Sequence, residues 1–98
     1  MNPMKYYVDI DGIICTNTYG KYKEATPIYE NIKKINKKYD EGHEIILWTA
    51  RGGTTGVDWR KITEEQMEKW GVKYHSLSFD KPEYDVIVDD KTQNIKEW

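Results

Sequence analysis

Apolar runs that each end in polar side chains recur three times along the chain, and this pattern predicts the fold. The runs are Tyr6–Val8, Ile45–Trp48 and Val86–Val88, and the polar side chains that follow them are Asp9, Asp11, Thr49, Asp89 and Asp90. Short uninterrupted runs rich in β-branched and aromatic residues are typical of buried parallel strands. The polar residues are therefore expected at the carboxyl ends of strands, where an open parallel sheet forms its crevice.

Two amphipathic helices are predicted between these strands. In the first, Thr26 caps the helix, Pro27 takes the first position and Gly42 ends it. Its apolar stripe, spaced at four, three and four residues, consists of Ile28, Ile32, Ile35 and Tyr39.

The second helix is predicted from about Asp58 to Trp70, and Gly71 ends it. Thr63 and Gln66 also match a capping box, so a start at Thr63 is the alternative. The residues expected to be buried are Trp59, Ile62, Met67 and Trp70.

The remaining segments complete an alternating α/β pattern. Strands are predicted at about Lys5–Ile10, Glu44–Thr49, Tyr74–Leu77 and Tyr84–Asp89, and the last of them closes the core. A flap is predicted at about 13–25 over the crevice, and two helical turns are predicted at Thr92–Trp98. With right-handed crossovers, this order predicts one three-layer α/β/α domain over residues 1–98 with a small, mostly parallel Rossmann-like sheet.

Charge and composition narrow the function. The 15 basic and 17 acidic residues nearly cancel, which disfavours nucleic acid as a partner, although a lysine-rich helix face at residues 33–38 leaves it open. The single cysteine, Cys15, rules out an internal disulfide and a cysteine-based metal site. We find neither a signal segment nor a membrane-spanning run, so a cytoplasmic protein is expected.

The carboxylates at the strand ends predict a metal site. Asp9, Asp11, Asp89 and Asp90 would repel one another unless a cation compensated them. Oxygen ligands suit Mg²⁺ or another hard divalent ion. The alternative is that each Asp merely ends a strand, since Asp is common in turns and at helix starts.

The order of these clusters resembles the haloacid dehalogenase superfamily. Tyr7-Val8-Asp9-Ile10-Asp11-Gly12 resembles its first motif, and Ile45-Ile46-Leu47-Trp48-Thr49 resembles its second. Lys81 is placed like the basic residue of the third motif, with Lys73 as its competitor, and Val86-Ile87-Val88-Asp89-Asp90 is similar to the acidic fourth. The resemblance spans residues 5 to 90.

The resemblance implies a Mg²⁺-dependent phosphatase. Asp9 would attack phosphorus and form an aspartyl-phosphate, and Asp11 would be the general acid and base as well as a metal ligand through its carbonyl. Thr49 and Lys81 would stabilise the phosphoryl group. Asp9 and Asp90 would bind the metal directly and Asp89 would orient or assist.

Two residues after the second motif are candidate substrate ligands. The loop Ala50–Gly56 offers backbone N–H groups, at Gly52 for instance, to the substrate. Arg51 could hold the remainder of the substrate by a two-pronged contact, or could equally pair with a nearby carboxylate.

Two departures from the family pattern bear on the substrate. Ile13 stands where the family commonly has Thr, at a mostly structural position. The chain also has no cap domain at either usual insertion point, which implies an open crevice for a macromolecule, for a small substrate selected by few contacts, or for a site capped by a neighbouring subunit of a homo-oligomer.

A narrower resemblance concerns the approach to the fourth motif, which runs Lys81-Pro82-Glu83-Tyr84-Asp85. It is similar to that of small capless phosphatases associated with surface-polysaccharide biosynthesis, and so favours a phosphorylated sugar or polyol. The alternatives are a nucleotide or polynucleotide phosphatase and a slow phospho-accepting switch like a response-regulator receiver.

Overall fold

The computed structural model describes residues 2–53 and 56–98. Thr54 and Thr55, which belong to the predicted glycine-containing loop, lie outside the described residues. The elements in chain order are β1 (Lys5–Asp9), α1 (Tyr29–Asp40), β2 (Glu44–Trp48), α2 (Arg60–Trp70) and β3 (Ser76–Ser78), with single 3-10 turns at Tyr22–Glu24 and Ile95–Glu97. Strand and helix alternate, as the hydrophobic pattern predicts.

The three strands form one parallel sheet in the order β1-β2-β3. Tyr6 is in register with Ile45 and Val8 with Leu47, so alternate residues of both strands point to one face. On the other face Tyr7 is exposed and Trp48 is half-buried. The two faces of the sheet therefore differ in burial.

The core lies between the first of these faces and both helices. Its buried members include Val8, Ile45 and Leu47 from the sheet, Ile32 and Ile35 from α1, and Met67 and Trp70 from α2. Consecutive right-handed crossovers in the order β1-β2-β3 place successive helices on the same face, consistent with this shared core. The predicted α/β fold with a small parallel sheet is confirmed.

The helix ends differ from the predicted ones mainly at their starts. α1 begins at Tyr29 with Ile28 in the capping position and no side-chain cap, so Thr26 does not cap it; the backbone N–H of Thr26 donates to the Thr16 hydroxyl at 3.0 Å. α2 begins at Arg60, whose N–H donates to Asp58 Oδ1 at 3.0 Å. Gly71 ends α2 at φ 71°, as predicted.

The predicted fourth strand, Tyr84–Asp89, is wrong for this structure. Residues 84–89 carry no strand pairing among the described residues, and Val86 and Val88 are 76% and 94% exposed. An apolar β-branched run forms a strand only where it fits a pleated, half-buried surface. The sheet described here offers this run no such place, so its side chains face outward.

The flap and the tail also contain less regular secondary structure than predicted. The base of the flap is part of the core, since Ile14 and Cys15 are fully buried, and Thr16 N–H donates to Thr26 O at 2.9 Å where the flap closes. In the tail a single 3-10 turn replaces two helical turns, and Trp98 packs edge-on against Tyr6 at 5.0 Å. No helix in the described ranges is long and apolar enough to cross a membrane.

Candidate active site

An open cavity of about 900 Å³ lies at the carboxyl end of the sheet. Asp9 and Asp11 reach it from the end of β1 and the turn that follows, and Lys81 reaches it from the segment after β3. The parallel register aligns the end of β1 with Trp48 at the end of β2, so these segments meet at one edge. The structure thus brings Lys81 together with Asp9 and Asp11, which lie about seventy positions earlier in the sequence.

Asp9 and Lys81 form an ion pair within this cavity. Lys81 Nζ lies 3.0 Å from Asp9 Oδ2, and Asp9 Oδ1 accepts the backbone N–H of Ile10 at 2.9 Å. Burial alone would lower the pKa of Lys81, but its hydrogen bonds to Tyr84 and Asp9 and their negative charge outweigh burial and raise the pKa above its ordinary value. Lys81 is therefore a fixed positive charge beside the Asp9 carboxylate at neutral pH.

Asp11 is held by Arg51 in a two-pronged contact. Arg51 Nε donates to Asp11 Oδ2 at 3.0 Å, and Nη2 donates to Asp11 Oδ1 at 2.9 Å. The Arg51 side chain is fully buried and the Asp11 side chain is 17% exposed. The pairing fixes the direction in which the Asp11 carboxylate points.

The remaining donors of Arg51 are also used inside the protein. Its Nη1 donates to Thr63 Oγ1 at 2.9 Å and to Gln66 Oε1 at 2.7 Å, and Nη2 also contacts Cys15 Sγ at 3.6 Å. A guanidinium has five N–H donors, so none remains for a ligand in this arrangement. Of the two alternatives for Arg51, the structure shows the pairing with a carboxylate, and the expected substrate contact is not found.

Thr49 does not play the expected part in this arrangement. Its hydroxyl accepts the backbone N–H of Arg51 at 3.1 Å, a local contact that shapes the turn after β2. Thr49 is buried and is not among the described residues that line the cavity. The hydroxyl thus faces the loop backbone, where the prediction had it bind a phosphoryl group.

Gly52 does line the cavity, and its missing side chain has a steric reason. Its φ of 80° lies in the left-handed region, and a Cβ at this position would overlap the carbonyl oxygen of Val57. Gly52 therefore lets the chain after β2 pass close to the segment that precedes α2.

Asp89 and Asp90 are not brought to the site. Both are exposed, neither is among the described residues that line the cavity, and Asp89 Oδ1 accepts the backbone N–H of Lys91 at 2.8 Å. This hydrogen bond, together with that from Asp90, lowers the pKa of Asp89. The predicted position of this pair is wrong because the fourth strand, which was expected to carry it to the sheet edge, is not formed among the described residues.

The predicted Mg²⁺ site is therefore not assembled in this arrangement. Within residues 2–53 and 56–98, no group of three His, Cys, Asp or Glu side chains is placed to hold a metal ion. The two carboxylates that line the cavity from β1 and the turn after it, Asp9 and Asp11, are paired with Lys81 and Arg51 respectively. The donors present thus do not fit a complete Mg²⁺ site, and the magnesium requirement stays a prediction.

The structure adds residues that the sequence pattern did not single out. Further cavity-lining side chains include Asn17, Tyr19, Tyr22, Trp59, Tyr84 and Asp85. The sequence placed a flap at about 13–25 over the crevice, but nothing in the pattern distinguished these aromatic side chains from core ones. Thr63 and Gln66, identified as a capping box, instead accept hydrogen bonds from Arg51.

The comparisons with known proteins bear on the fold alone. No family model and no curated protein matches the chain. Among solved structures, the crystal structure of an MCSG target from Vibrio cholerae superposes with a TM-score of 0.81 at 22% identity, over 96% of this chain and 85% of that chain. The chain is therefore similar in fold to the V. cholerae protein over nearly the whole of both chains.

Proposed function

We propose that this chain is a phosphomonoesterase of the haloacid dehalogenase type that acts on a small phosphorylated metabolite such as a sugar or polyol phosphate. The observation that carries the proposal is the Asp9 carboxylate at the end of a parallel strand, inside a cavity, with the Lys81 ammonium 3.0 Å away. A nucleophile and a cation so placed suit attack on an anionic phosphoryl group.

Lys81 has two roles in this proposal. Without substrate it pairs with Asp9, and with a phosphate in the cavity it can neutralise charge on the phosphoryl oxygens next to the attacking carboxylate. Because its pKa is raised, Lys81 keeps its proton through neutral and mildly alkaline pH. Electrostatic stabilisation by Lys81 thus does not depend on small changes of pH near neutrality.

The reaction has two balanced steps. Asp11 must enter the first step protonated. An oxygen of Asp9 forms a bond to phosphorus while the bond from phosphorus to the leaving oxygen breaks, and the leaving oxygen takes the proton of Asp11, which the second step restores. Water then attacks the aspartyl-phosphate, loses its proton to Asp11 and releases phosphate. Arg51 orients Asp11 through both carboxylate oxygens, so one oxygen must leave its hydrogen bond to exchange the proton.

A panel of phosphate esters tests this proposal. Wild-type protein should release phosphate in many turnovers from sugar or polyol phosphates, whereas Asp9→Asn should lose at least about a hundredfold in kcat because the nucleophile is removed. Asp40→Asn is the matched control, since Asp40 is exposed and pairs with Lys73. Undiminished turnover by Asp9→Asn would exclude it as the attacking group.

Further arms of the same panel separate the competing functions. The resemblance predicts activity with Mg²⁺ and none with a chelator. A clear preference for nucleotides or phosphorylated oligonucleotides would replace the substrate class. Phosphorylation of one carboxylate per chain without turnover would identify a phospho-accepting switch instead. The proposal assumes the cytoplasmic setting expected from the sequence.

A further inference from the structure

We propose that the flap aromatic Tyr19, with the ring pair Tyr22–Trp59, forms a subsite for a sugar ring in the leaving group of the substrate. This inference rests on the proposed phosphatase function and narrows its substrate class. It distinguishes cyclic sugar phosphates from acyclic polyol phosphates, which lack a ring face to pack on an aromatic side chain.

Tyr19 is placed at the cavity in a way that burial does not explain. Its side chain is 91% exposed although it lines the cavity, so little protein covers the ring. Its backbone has φ 55°, the one positive φ among the described residues that are not glycine, and its N–H donates to Asn17 Oδ1 at 3.2 Å. The turn closed by the Asn17 side chain holds this backbone conformation and leaves the Tyr19 ring at the cavity and uncovered.

Tyr22 and Trp59 provide a fixed wall in the same cavity. Their rings meet edge-on with centroids 5.0 Å apart, and the Arg51 guanidinium lies 4.6 Å from the Tyr22 ring centroid. The backbone carbonyl of Tyr22 accepts the side-chain amide of Gln66 at 2.7 Å. The wall is therefore preorganised, whereas Tyr19 projects from the flap with its ring open to contact.

The polar groups that line the same cavity favour a sugar over other cyclic groups. Asn17 and Asp85 line the same cavity and offer amide and carboxylate oxygens to hydroxyl donors. The additional phosphate of a nucleoside diphosphate would be repelled by the Asp85 carboxylate, which lines the same cavity. A monophosphorylated, hydroxyl-rich ring matches both the aromatic and the polar lining.

The test compares Tyr19→Ala with Tyr29→Ala on ring-bearing and ringless substrates. Tyr29 is also an exposed tyrosine, 58% exposed, and is not among the described residues that line the cavity. Loss of one aromatic contact should raise KM for a hexose phosphate about tenfold, with kcat changed little. KM for glycerol phosphate should be unchanged, Tyr19→Trp should retain the wild-type KM, and Tyr29→Ala should behave as wild type.

Different results would overturn the ring subsite or the proposed phosphatase function. An equal rise in KM for glycerol phosphate and hexose phosphate would overturn the ring subsite, because the effect would not depend on the ring. A larger effect with nucleoside monophosphates would show that the ring is a base and not a sugar. If wild-type protein turned over no ester, the phosphatase proposal would fail. In that case, calorimetric titration of wild type and Tyr19→Ala with the same hexose phosphate would test the subsite separately. Equal affinities for the two proteins, or no binding to either, would overturn the subsite.

Discussion

At the scale of single residues, Arg51 is the side chain on which the site depends most for its geometry. It is fully buried and connects Asp11 after β1 with Thr63 and Gln66 on α2. We predict that Arg51→Ala lowers the free energy of unfolding by about 3 to 5 kcal/mol, because Asp11, the buried Thr63 hydroxyl and the half-buried Gln66 amide lose their partner. Urea denaturation monitored by tryptophan fluorescence measures the change.

Arg60→Ala is the matched control for this prediction. Arg60 pairs with Glu64 at 3.5 Å, with both side chains about half exposed, and its guanidinium lies over the Phe79 ring. Its loss should cost less than about 1 kcal/mol, since exposed ion pairs contribute little. If the two variants unfolded at the same urea concentration, the hydrogen-bond network of Arg51 would not stabilise the fold as the structure indicates.

At the scale of elements, β2 and the run Val86–Val88 carry similar apolar side chains in opposite environments. Leu47 in β2 is fully buried, whereas Val88 is 94% exposed. We predict that Leu47→Ala lowers the free energy of unfolding by about 2 to 5 kcal/mol, because it leaves a cavity in the core. Val88→Ala should change it by less than about 0.5 kcal/mol. Equilibrium urea unfolding of both variants makes the comparison, and a loss at Val88 comparable to that at Leu47 would indicate a fourth, buried strand.

This contrast shows why some elements could be predicted from the sequence and one could not. The run in β2 and the middle of the α1 stripe are confirmed, since Ile32 and Ile35 are buried, whereas Ile28 precedes the helix. Gly71 ends α2 in a left-handed conformation that glycine adopts without strain. The run Val86–Val88 has the same local character as β2. Whether such a run becomes a strand depends on an available sheet edge, which local composition does not reveal.

The candidate site was predictable to the extent that it follows from parallel strand ends. Asp9 and Lys81 meet, as expected from the predicted crevice, although they are far apart in the sequence. The pairing of Arg51 with Asp11 was one of two alternatives, and only the packing of α2 against the loop decided between them. Asp89 and Asp90 were misplaced because their position depended on an element that the structure does not form.

At the scale of the whole molecule, several groups hold their protons more tightly when folded. Burial, with the charge of Asp11, raises the pKa of Cys15 from 9.0 to about 12, and burial also raises the pKa of Tyr22 and Tyr74. The pKa of Lys81 is raised as well, because Tyr84 and Asp9 outweigh burial. All four shifts have the same sign, so their effects on stability at high pH add.

The sign of these shifts gives a prediction for alkaline pH. The folded chain keeps protons that the unfolded chain releases, so the free energy of unfolding should fall as pH rises. The contribution of Cys15 is fully present below about pH 9, where the unfolded thiol is still protonated, and is lost toward pH 12. Urea midpoints measured from pH 7 upward should therefore be level at first and then decline from about pH 9.

Cys15→Ala separates the thiol from the other groups. In this variant the decline should begin near pH 10, where the tyrosines of the unfolded chain ionise. Below pH 9 the two proteins should differ only by a constant, which reflects the lost packing of the thiol in the core. Parallel curves across the whole alkaline range would mean that Cys15 ionises alike in both states, which its burial beside Asp11 argues against.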